Sequence, residues 1–250
     1  LGMLNLKLIK IWLDENFMLI IVDKKMPEEA KQKLGLYGEL LELQTSGIVY
    51  PSISGHPDIF FCRTENGLVA APGIPDEYID TLKLNKIEFV TGKHKPGSVY
   101  PFTVSYNAVV GRKFLIHNLD HTDPVIADIA SGKTCIHTEQ GYTRCNLISL
   151  GEEHFITSDQ GIQRSLKQNG LDCTYFSPQN IYLQGFKHGF LGGTCGILNK
   201  ILFICGSLKH YEWADDFRKL VNRFGFEITE LTEDVLFDVG SIIFIRKTID

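Results

Sequence analysis

Four short stretches of this 250-residue chain carry a thiol, an imidazole or a carboxylate, the groups that covalent and acid–base chemistry needs. The thiol is in Gly192-Gly193-Thr194-Cys195, where the glycines let backbone approach a ligand closely. His137-Thr138-Glu139 sits in a strand-like run. Residues two apart on a strand share a face, so both side chains can reach one ligand. Asp58, in His56-Pro57-Asp58, adjoins the apolar Ile59-Phe60-Phe61, a setting for a pocket. His188 precedes the Gly189–Gly193 stretch and can line the same site. Each stretch also has a plainer reading. Cys195 is one of six cysteines, and a free cysteine is usually a small buried hydrophobe. His137 can cap a turn at a strand end, Glu139 can be solvated, and Asp58 can stabilise a turn. His56 and His188 can be ordinary loop residues. No HExxH, paired CxxC or regular histidine spacing is present, and Cys135-Ile136-His137 alone is no zinc site, so neither metal nor cofactor is expected.

The elements that must position these residues repeat. Apolar runs with short polar turns begin at Asn66, Asn107, Asn146 and Gly196, and Ser241–Ile245 supplies a fifth strand with Gly240 as its leading residue. Short polar turns between apolar runs predict β-hairpins. A helix start follows each hairpin: Pro75-Asp76-Glu77 before Tyr78–Leu84, Asp123-Pro124 before Val125–Ala130, and Asp159 before Gly161–Gln168. A longer helix is predicted over His210–Phe224, and an N-terminal counterpart over Ala30–Leu34. Each helix leads to a short strand: Leu41–Leu43, Ile87–Val90, Thr134–His137, Thr174–Phe176 and Ile228–Leu231. One such unit cannot bury both faces of its own sheet, so the units must pack around an axis. Asn107 and Asn146 begin equivalent strands, which implies a structural task such as hydrogen-bonding a neighbouring unit near that axis. The expected fold class is α/β, a five-fold pseudosymmetric α/β-propeller of ββαβ-like units spanning residues 18–250. A doubly wound sheet ranks second, because no GxGxxG follows a strand. Residues 1–17, where Lys7 and Lys10 break the apolar run and no cleavage site follows, are expected to be an N-terminal extension rather than a signal peptide.

This arrangement resembles the pentein, or α/β-propeller, superfamily, which holds guanidino-modifying enzymes such as arginine and agmatine deiminases and amidinotransferases, and also non-catalytic ribosome anti-association factors. In Gly55-His56-Pro57-Asp58, Gln140-Gly141-Tyr142-Thr143-Arg144-Cys145-Asn146 and Gly189-Phe190-Leu191-Gly192-Gly193 the chain also looks like an uncharacterised bacterial group of that fold. The resemblance implies Asp58 as a guanidinium clamp, with Glu139 joining it. It implies His137 as the general acid and base, and Cys195 as the nucleophile, although the glycine run before Cys195 is shorter than the family's. His56 and His188 would line the same ligand site. In such chemistry carboxylates grip a planar cation bidentately, and the cation together with a nearby His⁺ lowers the thiol pKa. The histidine then protonates the leaving amine and activates water.

The resulting expectation is cysteine-dependent modification of a small guanidino compound, by hydrolysis or by amidino transfer. The alternative is a non-catalytic binding module for a protein or ribonucleoprotein partner. A net charge of −5 argues against general nucleic-acid binding, and no apolar run approaches the roughly 18–20 residues of a membrane span. Six scattered cysteines in a chain large enough to need no disulfides imply free thiols and a cytoplasmic location.

Overall fold

The computed structural model describes residues 18–152 and 154–248. The extension expected for residues 1–17 lies outside the described residues. In chain order the strands are β1 (Met18–Asp23), β2 (Glu39–Leu43), β3 (Phe61–Thr64), β4 (Gly67–Ala70), β5 (Phe89–Thr91), β6 (Val109–Val110), β7 (Phe114–His117), β8 (Thr134–His137), β9 (Leu147–Ser149), β10 (His154–Thr157), β11 (Asp172–Tyr175), β12 (Cys195–Leu198), β13 (Ile201–Ile204), β14 (Glu227–Glu230) and β15 (Ile243–Arg246). They form five three-stranded sheets with one shared plan. An inner strand pairs antiparallel with a middle strand, and the middle strand pairs parallel with an outer one after a helical crossover. The fifth sheet uses both ends of the described chain, since β15 pairs antiparallel with β1 and β1 pairs parallel with β2, with Leu19 opposite both Ile245 and Glu39. The fold is thus the five-unit α/β-propeller.

Burial explains the order within each sheet. Middle strands carry almost unbroken apolar sequence, Leu19-Ile20-Ile21-Val22 being the purest, and are covered on both faces. Outer strands are polar at their edges. The crossover helices are amphipathic: Gln160–Gln168 buries Ile162 and Leu166, one turn apart, and is capped by the Asp159 carboxylate accepting from Ile162 N at 2.8 Å. The helix expected over His210–Phe224 runs Ala214–Arg223. Ser207 instead caps a separate 3-10 turn, Leu208–His210, through Lys209 N.

Three inner strands are preceded by a short helical turn unmarked in the hydrophobic pattern: Pro57–Phe60 before β3, Thr143–Asn146 before β9 and Gly192–Thr194 before β12. These turns bring side chains to the axis. Inner strands also touch one another: a Cβ on Gly196 of β12 would lie 2.4 Å from the Ile242 carbonyl oxygen, so only glycine permits that approach. Among the described residues no helix is long and apolar enough to cross a membrane, and all six cysteines are unpaired.

Candidate functional site

At the starts of the inner strands the five units meet in a ring of buried polar groups. Pro57 opens the first turn at the position where its missing N–H costs nothing, and Ile59 and Phe60 anchor it in the core. Asp58 is thereby held at the axis with no exposed surface. Its Oδ2 accepts from Ser241 Oγ at 2.6 Å, and its backbone N–H donates to the Gly240 oxygen at 3.2 Å. Ser241 has a φ of 73°, a left-handed conformation that costs a non-glycine residue energy and is commonest where a site over-determines the backbone. On the other side, Asn107 Nδ2 donates to the Asp58 carbonyl at 3.2 Å and to Cys145 Sγ at 3.0 Å, while the Cys145 N–H donates to Asn107 Oδ1 at 3.1 Å. Gly192 closes the ring against the Arg144 and Cys145 carbonyls, and the Ser241 N–H donates to the Gly193 oxygen at 2.8 Å.

A second carboxylate stands beside the first. Asp238 is 1% exposed; its Oδ2 accepts from Phe190 N at 2.8 Å and its Oδ1 from Gly240 N at 3.0 Å. Burial raises both acids. Asp58 is pushed up to about 6, with the Ser241 hydroxyl and the Arg144 charge pulling back. Asp238 is pushed up to about 7, burial first and the Asp58 charge second. Asp58 Oδ1 is buried without a hydrogen-bond partner among the described residues, though the Cys145 thiol lies beside the carboxyl. Burial and the charges of Asp58 and Asp238 hold that thiol well above its ordinary value. Asp123, in contrast, is buried with its oxygens occupied by Lys93 N, His94 N, Tyr106 Oη and Val125 N, and is a structural acid. Above the ring, Tyr50 and Tyr142 join hydroxyl to hydroxyl at 3.0 Å, with Phe186 and Phe190 packed against them.

The residues singled out from sequence divide between this ring and its surroundings. Asp58 is in it. His56 stands behind it, 3% exposed, packed against Gly240 and 3.8 Å from Asp23; burial lowers it to about 3, so it is neutral at physiological pH. His188, half-buried, donates from Nδ1 to the Gly189 carbonyl at 3.0 Å, in the segment whose Phe190 N–H binds Asp238. Cys195 begins β12 with its sulfur 3.0 Å from Thr194 Oγ1; burial lifts its thiol to about 12. His137 and Glu139 stay together, 3.7 Å apart, at the end of the outer strand β8, with Leu119 N donating to His137 Nδ1 and Glu139 almost fully exposed. Among the described residues no hydrogen bond or ion pair joins either to Asp58 or Cys195. Sequence reading missed Cys145, Asp238 and Ser241. Their signal was positional, since each lies just before an inner strand or in the turn leading to one. Asn107 does bridge two units, whereas Asn146 bonds Ser158 and Tyr142 within its own. No cluster suited to a metal ion occurs among the described residues.

Five sheets around one axis, with a polar ring where the inner strands begin, define a pentein-fold protein. Known structures of that fold superpose over most of the chain. An agmatine deiminase from C. jejuni aligns with a TM-score of 0.53 and 11% identity, covering 87% of each chain. The amidinotransferase SxtG from Microseira wollei gives 0.55 and 9%, covering 94% of this chain and 96% of its own. A DDAH from Pseudomonas aeruginosa, in a complex with citrulline, gives 0.55 and 9%, covering 92% and 99%. These neighbours are guanidino-modifying enzymes, and at such identities the likeness is one of fold. The chain belongs to the family described as a family of unknown function (DUF6873), which matches residues 21–243. No curated protein sequence matches it.

Proposed function

We propose that the protein binds a small guanidino-type cation at the ring, between Asp58 and Asp238. The carrying observation is the buried Asp58 carboxyl with one oxygen unpartnered, beside a second buried carboxyl. Two such groups in low dielectric repel when ionised. A planar cation donating to both relieves the repulsion and fills the open lone pairs. The fold is the one on which neighbours named for agmatine, amidino groups and dimethylarginine are built. In this reading the cation displaces the Tyr50–Tyr142 cap and brings positive charge to the Cys145 sulfur, lowering its pKa. Cys145 thiolate attack on the guanidinium carbon forms a C–S bond. Asp238, ionised when the cation binds and with a value near neutrality, takes the thiol proton and returns it to the amine that leaves; water or an acceptor amine then adds to the amidine carbon, and the C–S bond breaks to release Cys145. Cys195 with His137 is the competing assignment, carried by the sequence resemblance.

Chloroacetamidine, a guanidinium-shaped alkylating agent, tests the reading by mass spectrometry of the labelled chain. Modification of Cys145 ahead of the exposed Cys135, with protection by agmatine, is the expected result. Modification of Cys195 first transfers the role to Cys195. Labelling confined to Cys135, with no thermal shift by guanidino compounds, overturns guanidino binding. The ring's complete burial favours a second reading, a binding module without turnover. Agmatine binding lost in Asp58→Asn, with no product formed, would identify it.

A further inference from the structure

The inner strands enclose a second feature. A funnel of about 530 Å³ runs down the inner strands β3, β6, β9, β12 and β15. Its throat is apolar, with Phe61, Ile148, Ile197 and Phe244 on the walls. Its charged lining is Arg63, Arg112, Arg144 and Lys200 against only Glu65 and Glu152, an inversion in a chain of net charge −5. Both carboxylates are already paired, Glu65 with Lys133 at 2.9 Å and Glu152 with Arg112 at 3.2 Å.

Two guanidinium groups are left without a carboxylate. Arg144 is held by three carbonyls, Leu147, Gly192 and Cys195, at 3.2–3.5 Å, which fix its plane; it makes no ion pair among the described residues, though its charge acts on the Asp58 carboxyl. Arg63 makes no ion pair among the described residues; it projects from β3 into the funnel, keeping exposed surface while the walls crowd it. Its value is lowered by desolvation and then by the like charges of Arg144 and Arg246. Like charges crowded in a walled, solvent-filled space are stabilised by a bound anion, and guanidinium forks fit phosphate and carboxylate oxygens.

We infer that the funnel is a binding site for a small organic anion, its phosphate or carboxylate headgroup on Arg63 and Arg144 and its apolar body along Phe61, Ile197 and Phe244. The funnel adjoins the carboxylate ring at Arg144, but the inference does not rest on what the ring binds.

Calorimetric titration of the full chain at low salt tests this with phenyl phosphate, benzoate, inorganic phosphate and phenol. Phenyl phosphate or benzoate should bind more tightly than inorganic phosphate, and phenol least. Whichever of the two is stronger identifies the headgroup. Arg63→Ala should weaken the stronger ligand about tenfold, and raised salt should weaken it too. Arg144→Lys, which keeps the charge and loses the fork, should weaken it with the fold intact by circular dichroism. Phenol matching the anions, Arg63→Ala within twofold of the parent, or no anion binding at millimolar concentration would each overturn the inference.

Discussion

The two ends of the propeller axis are made by the same five strands and carry opposite charge and opposite access. At the strand starts, Asp58 and Asp238 are sealed with almost no exposed surface. Along the inner strands an open funnel runs from Arg144, in the turn before β9, to Arg63 near the end of β3. Geometry produces the difference. The helical turns before β3, β9 and β12 bury Asp58, Cys145 and Thr194 at the first end, whereas the funnel reaches the hairpin turns at Gly111, Gly151 and Lys200. Arg144 joins the two, because its guanidinium lies in the funnel lining and its charge pulls down the Asp58 carboxyl. A pseudosymmetric scaffold thus gathers buried carboxyls and guanidiniums without ion pairs around one axis.

The comparison breaks first where the sealed end cannot tolerate bulk. A Cβ on Gly193 would lie 2.0 Å from Asp238 Oδ1. Gly193→Ala should cost about 3 kcal/mol and lower the melting temperature by roughly 6–10 °C, because overpacking at a rigid site cannot relax. Gly111→Ala, at the funnel's turn with nothing nearer than 3.7 Å, should change it little. Equal melting temperatures for the two variants would mean that the ring is loosely packed.

A smaller effect separates the ends by pH. Asp58 is raised from 3.8 to about 6, so its contribution to stability is full below about pH 4 and is lost as pH rises through 6. A rise of that size is worth on the order of 3 kcal/mol. Asp238 and Asp23 act in the same direction. His56 and His117, lowered to about 3 and about 4, act the other way, removing stability as pH falls below about 6.5. The difference between parent and Asp58→Asn therefore isolates the ring. The variant should gain in melting temperature relative to the parent between pH 5 and 8, while agmatine binding is lost. Agmatine affinity for the parent should itself rise with pH through this window, since binding needs the ionised acids. A pH-independent difference would place Asp58 in a solvated setting.

The fold was legible because periodicity survives pseudosymmetry. The middle strands Leu19–Val22 and Ile201–Ile204 read as apolar runs, and Asp123 and Asp159 marked helix starts where the side chains do cap. The first inner strand, Phe61–Thr64, escaped the repeat because Arg63 interrupts its apolar run; that arginine faces the funnel. The candidate site was legible only in Asp58 and its flanking His56. A nucleophile sought beside a glycine pair leads to Cys195, whose sulfur bonds Thr194, while Cys145, in the Thr143–Asn146 turn, entered the sequence reading only as part of a motif. His137 and Glu139, two residues apart, lie 3.7 Å from each other at a strand end. A period of two, however, says nothing about which edge of a sheet the strand occupies, and β8 is an outer strand. Distances across the axis come from closing five units, which no local pattern encodes.

The smallest effect sharpens the boundary of the open end. Arg112 lines the funnel, yet its side chain is 77% exposed and already engaged by Glu152. An exposed pair contributes about 0–1 kcal/mol, so Arg112→Ala should leave the melting temperature almost unchanged. Its influence on phenyl phosphate should be only about twofold and should vanish at high salt, because a rim charge acts through a screened field rather than a bidentate contact. Arg63→Ala should retain most of its deficit at high salt, since its contact lies within the walls. If the two variants weakened binding equally at every salt concentration, the anion would be held by the general field of the mouth, and the funnel would be an electrostatic patch without a seat.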